Sequence, residues 1–323
     1  MPADDRLATG KLRIIFMGTA ELSCPSLEAL AGRPECEVVA VVTQPDRPKG
    51  RELHLEPSPV KVAALRAGLA VLQPERARNE VFVESIRQLK PDVIVVVAYG
   101  QILPQSILDV PQYGCLNVHT SLLPKYRGAA PIQWAILNDE TETGVTLMKM
   151  DAGLDTGPLL AQVPTPIHET DTSETLHDRL AGLGAELLIR TLPDFVAGRI
   201  QPQPQMAASA SHAPKIKKED GHIDWNHPAR AIWNRVRALT PWPGAFSLLH
   251  HSPRPLMLKF WRAEVADASG KPGEILESTG AGILVGCGVQ ALRVLTLQRE
   301  GGRRLQAREF LSGLPLKPGT RLE

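Results

Sequence analysis

Three short apolar runs constrain the fold of this 323-residue chain more than any other feature of its sequence. They occupy residues 11–17 (KLRIIFM), 37–43 (EVVAVVT) and 92–98 (DVIVVVA). Amphipathic patterns between the runs predict helices near residues 60–67 and 81–89. Strands that are apolar on both faces are typical of a parallel sheet covered by helices on both sides. The sequence therefore predicts an α/β protein with a Rossmann-like, mostly parallel sheet.

The ends of the predicted strands are where a ligand site is expected. In an open parallel sheet, ligands bind beyond the carboxyl ends of the strands. Gly18, Thr43, Tyr99 and His119 all stand at such ends. Gly18 alone follows the first strand, so the glycine fingerprint of a dinucleotide site is missing and a dehydrogenase is a distant alternative.

A polar constellation is expected near the middle of the chain. Residues 115–119 (CLNVH) alternate between apolar and polar, which predicts a strand with Asn117 and His119 on one face. Asp155 follows in a loop flanked by glycines, so an amide, an imidazole and a carboxylate are expected to meet at one point. An Asn-x-His pair on a strand is more often structural, however, and Asp151 is a rival carboxylate in the same loop.

The second half of the chain has a different composition. Residues 196–214 are poor in large apolar side chains and rich in Gln, Pro, Ala and Ser, which indicates a linker between domains at 1–195 and 215–323. A helix is predicted at 231–239, and the short β-like runs that follow it, separated by Gly and Pro turns, predict a small β-barrel. The tryptophans expected in the core or at a domain contact are Trp225, Trp233, Trp242 and Trp261.

Charge is divided unevenly between the two halves. Residues 1–214 carry 19 Lys and Arg against 25 Asp and Glu, a net charge of −6, whereas residues 215–323 carry 17 against 10, a net charge of +7. The basic half is therefore expected to bind a polyanion, with a solvated surface as the alternative. Its two basic clusters are Lys215, Lys217 and Lys218, and Arg299, Arg303, Arg304 and Arg308.

Cysteine usage and hydropathy indicate a cytoplasmic protein that does not enter a membrane. Cys24, Cys36, Cys115 and Cys287 are scattered without metal-ligand spacing, so they are expected to be reduced thiols and no metal site is expected. No apolar run approaches the roughly 18 to 20 residues of a membrane span. The polar, acidic N-terminal segment does not have the pattern of a signal peptide.

Two longer motifs carry a resemblance to a known family. They are SLLPKYRGAAPIQWAI at 121–136 and DAGLDTG at 151–157. With the residues around them, they resemble the catalytic core of the folate-dependent formyltransferases, most of all the members that act on methionyl-tRNA. The resemblance extends from Ile14 to the C-terminus. It implies that residues 1–195 form a formyltransferase catalytic domain and that the barrel at 215–323 is a tRNA-binding domain of the OB-fold type.

The resemblance places the family's catalytic residues at Asn117, His119 and Asp155. In acyl transfer to an amine, the developing oxyanion needs hydrogen-bond donors and the attacking nitrogen must lose a proton. Asn117 and a protonated His119 are expected to stabilise the oxyanion, and Asp155 is expected to keep His119 protonated and to assist proton transfer. The residues expected to bind the folate and line its pterin pocket are Ser121, Leu122, Leu123, Pro124, Tyr99 and Gly100.

The resemblance also implies contacts with tRNA. The long loop at 43–59 corresponds to an insertion that clamps the acceptor end of the tRNA. Arg51 occupies its key basic position, whereas Leu53 and His54 stand where the family has lysines, and a solvated loop is the alternative. Phosphate contacts of this kind supply salt-sensitive affinity more than sequence readout. The expected tRNA-binding residues are Arg51, Lys215, Lys217, Lys218, Arg303 and Arg304.

The expected reaction is transfer of the formyl group of 10-formyltetrahydrofolate to the free amino group of methionyl initiator tRNA, by a monomer and without a metal. Two alternatives stay open: a nucleotide-sugar N-formyltransferase with the same N-terminal chemistry, and a tRNA-binding protein with a silent catalytic domain. The basic second half and the long loop argue against the first. The presence of Asn117, His119 and Asp155 argues against the second.

Overall fold

A computed structural model describes residues 10–49, 54–250 and 254–323 of the chain. The chain divides into two compact units, and each unit combines separate stretches of sequence. The first consists of Met1–Gly128, Thr143–Pro166 and His177–His212, and the second of Ala129–Glu142, Ile167–Leu176 and Ala213–Glu323. The domain divisions expected after residue 195 and before residue 215 stay predictions.

A mostly parallel sheet forms the centre of the first unit. The strands up to residue 166 are β1 Leu12–Gly18, β2 Cys36–Val42, β3 Arg47–Lys49, β4 His54–Glu56, β5 Val71–Leu72, β6 Val93–Val97, β7 Cys115–His119, β8 Arg127–Gly128, β9 Glu142–Lys149 and β10 Leu159–Pro166. Among the described residues, seven of them form one sheet in the order β10-β9-β7-β6-β1-β2-β5. The short strands β3 and β4, within the loop at 43–59, pair with each other.

The pairing directions confirm the predicted sheet. β1 pairs in parallel with β2 and with β6, and β6 pairs in parallel with β7. β9 is antiparallel to β7, with Met148 opposite Asn117 and Thr146 opposite His119. The carboxyl ends of β6 and β7 therefore lie side by side at one edge of the sheet, where a parallel sheet binds its ligands.

Both faces of the sheet are buried, as the apolar runs predict. One core cluster joins alternate residues of β1 and β6 to α3: Ile15, Met17, Ile94, Val96, Phe82, Val83 and Ile86. Successive residues of a strand point to opposite faces. The intervening residues on the other face are fully buried as well, namely Ile14, Phe16, Val93 and Val95.

Two of the helices up to residue 196 begin at a residue whose side chain caps them. The helices of this part of the chain are α1 Cys24–Ala31, α2 Pro59–Arg66, α3 Glu80–Leu89, α4 Gln105–Leu108, α5 Pro131–Leu137 and α6 Ser173–Val196. Ser58 caps α2 by accepting from the amide of Lys61, and Asn79 caps α3. Both helices confirm the sequence prediction to within a residue. Within the described ranges, no helix is long and apolar enough to cross a membrane.

The second unit contains an antiparallel sheet. The remaining elements are β11 His212–Ala213, α7 Ala229–Ala238, β12 Ala245–Leu249, β13 Leu256–Ala266, β14 Ile275–Thr279, β15 Gly282–Gly286, β16 Ala291–Arg299, β17 Leu305–Gln306 and α8 Ala307–Gly313. The sheet order is β12-β13-β16-β15-β14, and β17 pairs with β16. Residues 320–323 form backbone hydrogen bonds with Leu248 near one sheet edge and with Gly273 and Ile275 near the other. This segment therefore links the two edges, as a small barrel requires.

Two of the five tryptophans in this unit anchor its core. Trp225 packs edge-on against Phe260 at 5.9 Å between ring centroids, and its Nε1 donates to Ser247. Trp233 donates from Nε1 to the carbonyl of Ala263. Buried indoles usually need such a partner for their N–H group. Trp242 is 51% exposed and therefore lies outside the core, and its alternative position at a domain contact stays a prediction.

Candidate active site

The site is organised around the last residues of β7. Asn117 and His119 stand two positions apart on this interior strand, so their side chains share one face. Both residues are buried, with 9% and 7% of their surface exposed. The predicted alternation of this strand is confirmed. Its polar pair is held within the sheet rather than on a mobile loop.

Asp155 joins this pair from the loop between β9 and β10. Its Oδ1 accepts from Asn117 Nδ2 at 3.2 Å, and its Oδ2 accepts from the amide of Gly128 at 2.8 Å. Oδ2 also lies 3.8 Å from Nδ1 of His119. The structure thus brings together the amide, imidazole and carboxylate named from the sequence. The side chain of Asp155 is only 13% exposed, so these contacts act with little screening by water.

The rival carboxylate, Asp151, has a different task. Its Oδ1 accepts from the amide of Gly153 at 3.0 Å and from the hydroxyl of Thr156 at 2.7 Å. These bonds close the loop on itself, which is a common use of an aspartate at a turn. Gly157 ends the loop, and a Cβ there would fall 1.8 Å from the carbonyl oxygen of Lys149. The loop therefore requires glycine at this position.

The hydrogen bonds of His119 define which ring nitrogen faces the site. Nε2 lies 2.9 Å from the carbonyl oxygen of Tyr126. A carbonyl oxygen can only accept, so Nε2 carries a proton and donates it. Nδ1 then faces the Asp155 carboxylate and becomes a second donor when the imidazole is protonated. His119 can therefore act on a substrate through Nδ1, a distinction that the sequence could not make.

A residue that sequence reasoning missed completes the cluster. Gln205 donates from Nε2 to the carbonyl oxygens of Asp155 and Gly157, at 2.9 and 2.7 Å. Its Oε1 accepts from two nitrogens of Arg127, at 3.1 and 2.7 Å. Gln205 lies in the predicted linker, and a segment rich in Gln, Pro, Ala and Ser carries no pattern that would single it out.

The segment Ser121–Pro124 is separated from the end of β7 by one residue, and hydrogen bonds from neighbouring side chains fix its backbone. The hydroxyl of Thr146 donates to the carbonyl oxygen of Ser121 at 2.6 Å and accepts from the amide of Leu123 at 3.1 Å. Gln162 donates to the carbonyl oxygen of Leu123 at 2.9 Å. Ser121 and Leu123 are buried, whereas Leu122 and Pro124 are half-buried. The surface that this segment offers to a ligand is therefore mainly that of Leu122 and Pro124.

Tyr99 and Gly100 follow β6, the neighbouring strand. The ring of Tyr99 is 1% exposed and lies in the core cluster, so it offers its backbone rather than its ring to the sheet edge. Burial raises the pKa of Tyr99 to about 12. Its carbonyl oxygen accepts from Thr19 and Gln44. Gly100 is exposed with a φ of 82°, a conformation that favours glycine.

The expected tRNA-binding residues lie mostly in the second unit. Lys215, Lys217 and Lys218 are exposed and precede α7. Arg303 and Arg304 are exposed between β16 and β17, and the guanidinium of Arg304 lies 3.5 Å from the ring centroid of Trp261. Cation–π stacking holds the Arg304 side chain against the sheet. The other expected contact, Arg51, lies outside the described residues, as does Leu53, which stands where the family has a lysine.

The cluster suits acyl transfer to an amine, because it combines amide and imidazole donors with a carboxylate that can take a proton. In the described part of the chain, no group of three or more His, Cys, Asp or Glu side chains is arranged to hold a metal ion. The four cysteines are free thiols, as predicted. Burial raises the pKa of Cys115 and of Cys287 to about 12, which makes both poor nucleophiles at neutral pH.

Comparison with known proteins identifies the class to which this fold and site correspond. The family described as formyl transferase matches residues 12–192, and the formyl transferase C-terminal domain matches residues 215–315. The chain therefore belongs to the formyl transferase family. The family resemblance expected from the two central motifs is confirmed.

Individual relatives are more specific. The methionyl-tRNA formyltransferase of Pelobacter propionicus is 55% identical over 309 residues, which cover 96% of this chain and 95% of that protein. The methionyl-tRNA formyltransferase of Citrifermentans bemidjiense is 53% identical over 308 residues, 95% of each chain. An N-formyltransferase from Helicobacter canadensis, solved with folinic acid and dTDP-3-aminofucose, has a TM-score of 0.65 at 19% identity, covering 88% of this chain and 99% of that one. That likeness concerns the fold alone.

Proposed function

We propose that this chain transfers the formyl group of 10-formyltetrahydrofolate to the free amino group of methionyl initiator tRNA. The observation that carries the proposal is the buried cluster of Asn117, His119 and Asp155, in which one carboxylate contacts both the amide and the imidazole. The relatives that are more than half identical over nearly the whole chain, both methionyl-tRNA formyltransferases, support the choice of acceptor.

The proposed reaction needs no covalent intermediate on the protein. The neutral amine attacks the formyl carbon, a C–N bond forms, and negative charge develops on the formyl oxygen. The bond from that carbon to N10 of the folate then breaks as the carbonyl re-forms, and N10 takes up a proton to give tetrahydrofolate. The proton lost by the attacking nitrogen passes to Asp155, directly or through a water molecule.

Asn117 and His119 supply the donors for the oxyanion. Among the described residues, one hydrogen of Asn117 Nδ2 is taken by Asp155 and the other has no protein acceptor. In His119, Nε2 is occupied by the Tyr126 carbonyl, so Nδ1 is the donor left for the substrate. Preorganised donors of this kind are each worth roughly 10²- to 10³-fold in rate. Nδ1 is a donor when the imidazole is protonated, and a carboxylate oxygen of Asp155 lies 3.8 Å from it.

The folate is proposed to bind at the carboxyl edge of the sheet. Its pterin ring would lie between the segment Ser121–Pro124 after β7 and the backbone of Tyr99 and Gly100 after β6. These strands are parallel neighbours, so both segments leave the sheet at the same edge. A flat heterocycle suits a cleft that presents half-buried Leu122 and Pro124 with backbone groups around them.

The tRNA is proposed to bind through exposed basic residues. Residues 215–323 carry a net charge of +7, and their lysines and arginines are suited to phosphate contacts. Lys215, Lys217 and Lys218 form one contact group, and Arg303 and Arg304 form another. Arg51 is proposed as a further contact from the loop at 43–59.

Formyl incorporation with matched acceptors tests the proposal. The purified protein is incubated with 10-formyltetrahydrofolate and methionyl initiator tRNA, uncharged initiator tRNA, or a dTDP-amino sugar, and the formylated products are measured. We expect incorporation with the charged tRNA alone. Formylation of the amino sugar and not of the charged tRNA would overturn the proposed acceptor, and no formylation of any acceptor would overturn the proposed reaction.

A further inference from the structure

Gln205 is separated from Asp155 by 50 positions in the sequence, yet its side-chain amide joins two parts of the site. The NH₂ group donates to two carbonyl oxygens of the Asp155 loop, and the oxygen accepts from two nitrogens of the Arg127 guanidinium. Arg127 is 9% exposed, so its guanidinium has little access to water, and Gln205 supplies an acceptor for it. Gln205 is thus a bridge between the loop and the corner at Arg127.

The backbone that Gln205 contacts has a conformation that needs support from other residues. Asp155 has a φ of 53°, in the left-handed region where a residue with a Cβ is strained. Asp151 fastens the first half of the loop through Gly153 and Thr156, but not Asp155 itself. Gln205 fastens the second half, at Asp155 and Gly157.

Both ends of the Gln205 side-chain amide contact segments that position the Asp155 carboxylate. The Asp155 side chain accepts from the amide of Gly128, the residue directly after Arg127. Gln205 therefore ties the main chain of Asp155 to the same corner whose amide holds its carboxylate. If the loop moved by an ångström, Asp155 would lose its contacts with Asn117 and with Nδ1 of His119 together.

We propose that Gln205 is a positioning residue for formyl transfer, which acts through Asp155 without touching substrate. The proposal rests on the proposed function above. Glutamine suits the task because it donates two hydrogens to the loop carbonyls while its oxygen accepts from the guanidinium. Glutamate can accept from Arg127 but cannot donate to carbonyl oxygens, and methionine fills a similar volume while doing neither.

The first test compares two glutamines of the same segment. Gln203 is exposed, and its side chain donates to the carbonyl of Gln201 within the same stretch. We expect Gln205→Met to lower kcat roughly 10- to 100-fold, as a displacement of about 1 Å does in other sites, with both KM values unchanged within two- to threefold. We expect Gln203→Met to have wild-type kinetics. Equal, wild-type kinetics in both variants would overturn the proposal.

The second test separates the two ends of the amide. Gln205→Glu keeps an acceptor for Arg127 and so retains a folded corner, but it places oxygen against the loop carbonyls. We expect its kcat to fall at least as far as that of Gln205→Met while its Tm stays within a few degrees of wild type. If Gln205→Met does not fold, this variant decides the question, and full activity in Gln205→Glu overturns the proposal.

A double-mutant cycle shows whether Gln205 acts through Asp155. A residue that only positions Asp155 has nothing left to position in an Asp155→Asn background, so the effects of the two changes should not add. We expect Gln205→Met to alter kcat less than twofold in that background. A full additional loss there would mean that Gln205 acts by another route and would overturn the proposal.

A crystal structure of Gln205→Met gives a readout that does not depend on activity. We expect the distance from Asp155 Oδ2 to the Gly128 amide to rise from 2.8 Å to beyond hydrogen-bond range. An unchanged distance would overturn the positioning role even if the proposed reaction holds. A wild-type protein that formylates no acceptor, with the predicted displacement present in the variant, would instead overturn the proposed function and leave the structural role of Gln205 standing.

Discussion

The polar groups of the first unit's site and the basic residues of the second unit are held in opposite ways. Asp155 is largely buried and takes part in bonds that leave its carboxylate little freedom. Lys217, Lys218 and Arg303 are exposed long side chains. The difference follows from the partners proposed for each region. A transition state forms at one point and needs fixed groups, whereas a phosphate backbone needs charge more than orientation.

The sharpest test of this contrast is a change at the fixed carboxylate. Both oxygens of Asp155 accept N–H groups, so the NH₂ of Asn at this position would face a donor, and the charge beside His119 would be lost. We expect Asp155→Asn to lower kcat about 10²- to 10³-fold with tRNA affinity unchanged within a few-fold.

Asp151→Asn is the matched control for this prediction. Its remaining Oδ1 can still accept from Gly153 and Thr156, so the loop should close as before. We expect its kcat to stay within threefold of wild type in steady-state formylation assays. A comparable loss in both variants would show that the loop, and not the Asp155 carboxylate, carries the effect.

The next largest effect is expected from removing the hydroxyl of Thr146, which contacts the backbone of the proposed folate-binding segment. Thr146 is fully buried, and Thr146→Val would leave the carbonyl of Ser121 and the amide of Leu123 without their partner. An orphaned buried polar group costs about 1–3 kcal/mol. We expect that loss in the free energy of unfolding, measured by denaturant titration, and a higher KM for the folate. Thr146→Ser keeps the hydroxyl and should restore both quantities, and a Val variant indistinguishable from Ser would contradict the role of the hydroxyl.

The exposed basic residues should respond in the opposite manner. We expect the double variant Lys217→Ala, Lys218→Ala to raise KM for methionyl initiator tRNA about tenfold at low salt, because two phosphate contacts are lost. Its kcat should not change, and the difference from wild type should shrink as salt rises. Measurements of KM at several salt concentrations check this. A drop in kcat with no salt dependence would place these lysines in the chemistry instead.

The smallest effects are expected on stability, from replacing one hydrogen-bonded carboxylate in each unit. Hydrogen bonds from Lys61 and Gln73 lower the pKa of Asp46 in the first unit. In the second unit burial raises the pKa of Asp139, but hydrogen bonds from Arg230 and Asn234 outweigh it, and the net shift is downward. A carboxyl whose pKa is lower in the folded protein than in the unfolded chain stabilises the fold at pH values above the unfolded pKa. That contribution is lost as the pH falls through the folded pKa.

Denaturant titrations between pH 3 and pH 6 test this contribution in each unit. We expect Asp46→Asn and Asp139→Asn to be slightly less stable than wild type at pH 6. Both differences should begin to shrink as the pH approaches the ordinary carboxyl pKa of 3.8 and should disappear only below the lower pKa of each folded-state carboxyl. A difference that stays constant over this range would mean that packing, and not the charge, is responsible.

Local sequence pattern predicted the framework of the fold because its cause is local. β6 was expected at 92–98 and spans Val93–Val97, since a run of β-branched residues has few alternatives to a buried strand. The face shared by Asn117 and His119 follows from the two-residue period of a strand. The two-residue strand β5, Val71–Leu72, pairs with β2, and a strand this short leaves little pattern to recognise in the sequence.

The rest of the site depends on contacts that no local pattern encodes. Asp151 and Asp155 both stand beside glycines, and only the path of the loop decides which carboxylate reaches Asn117. Tyr99 ends a strand at the ligand edge, but its ring turns into the core. No local pattern singles out Gln205, because its partners lie 48, 50 and 78 positions earlier in the chain.

The hydrogen bonds of residues 205–211 also determine where the chain can be cut. Gln205 holds the Asp155 loop, and Ser211 accepts from the amides of Tyr126 and Arg127. A truncated fragment that ended at residue 195 would lack all of these bonds, although composition alone would suggest that end point. A stable fragment that contains the first unit, obtained by limited proteolysis or by separate expression, should therefore extend at least through Ser211.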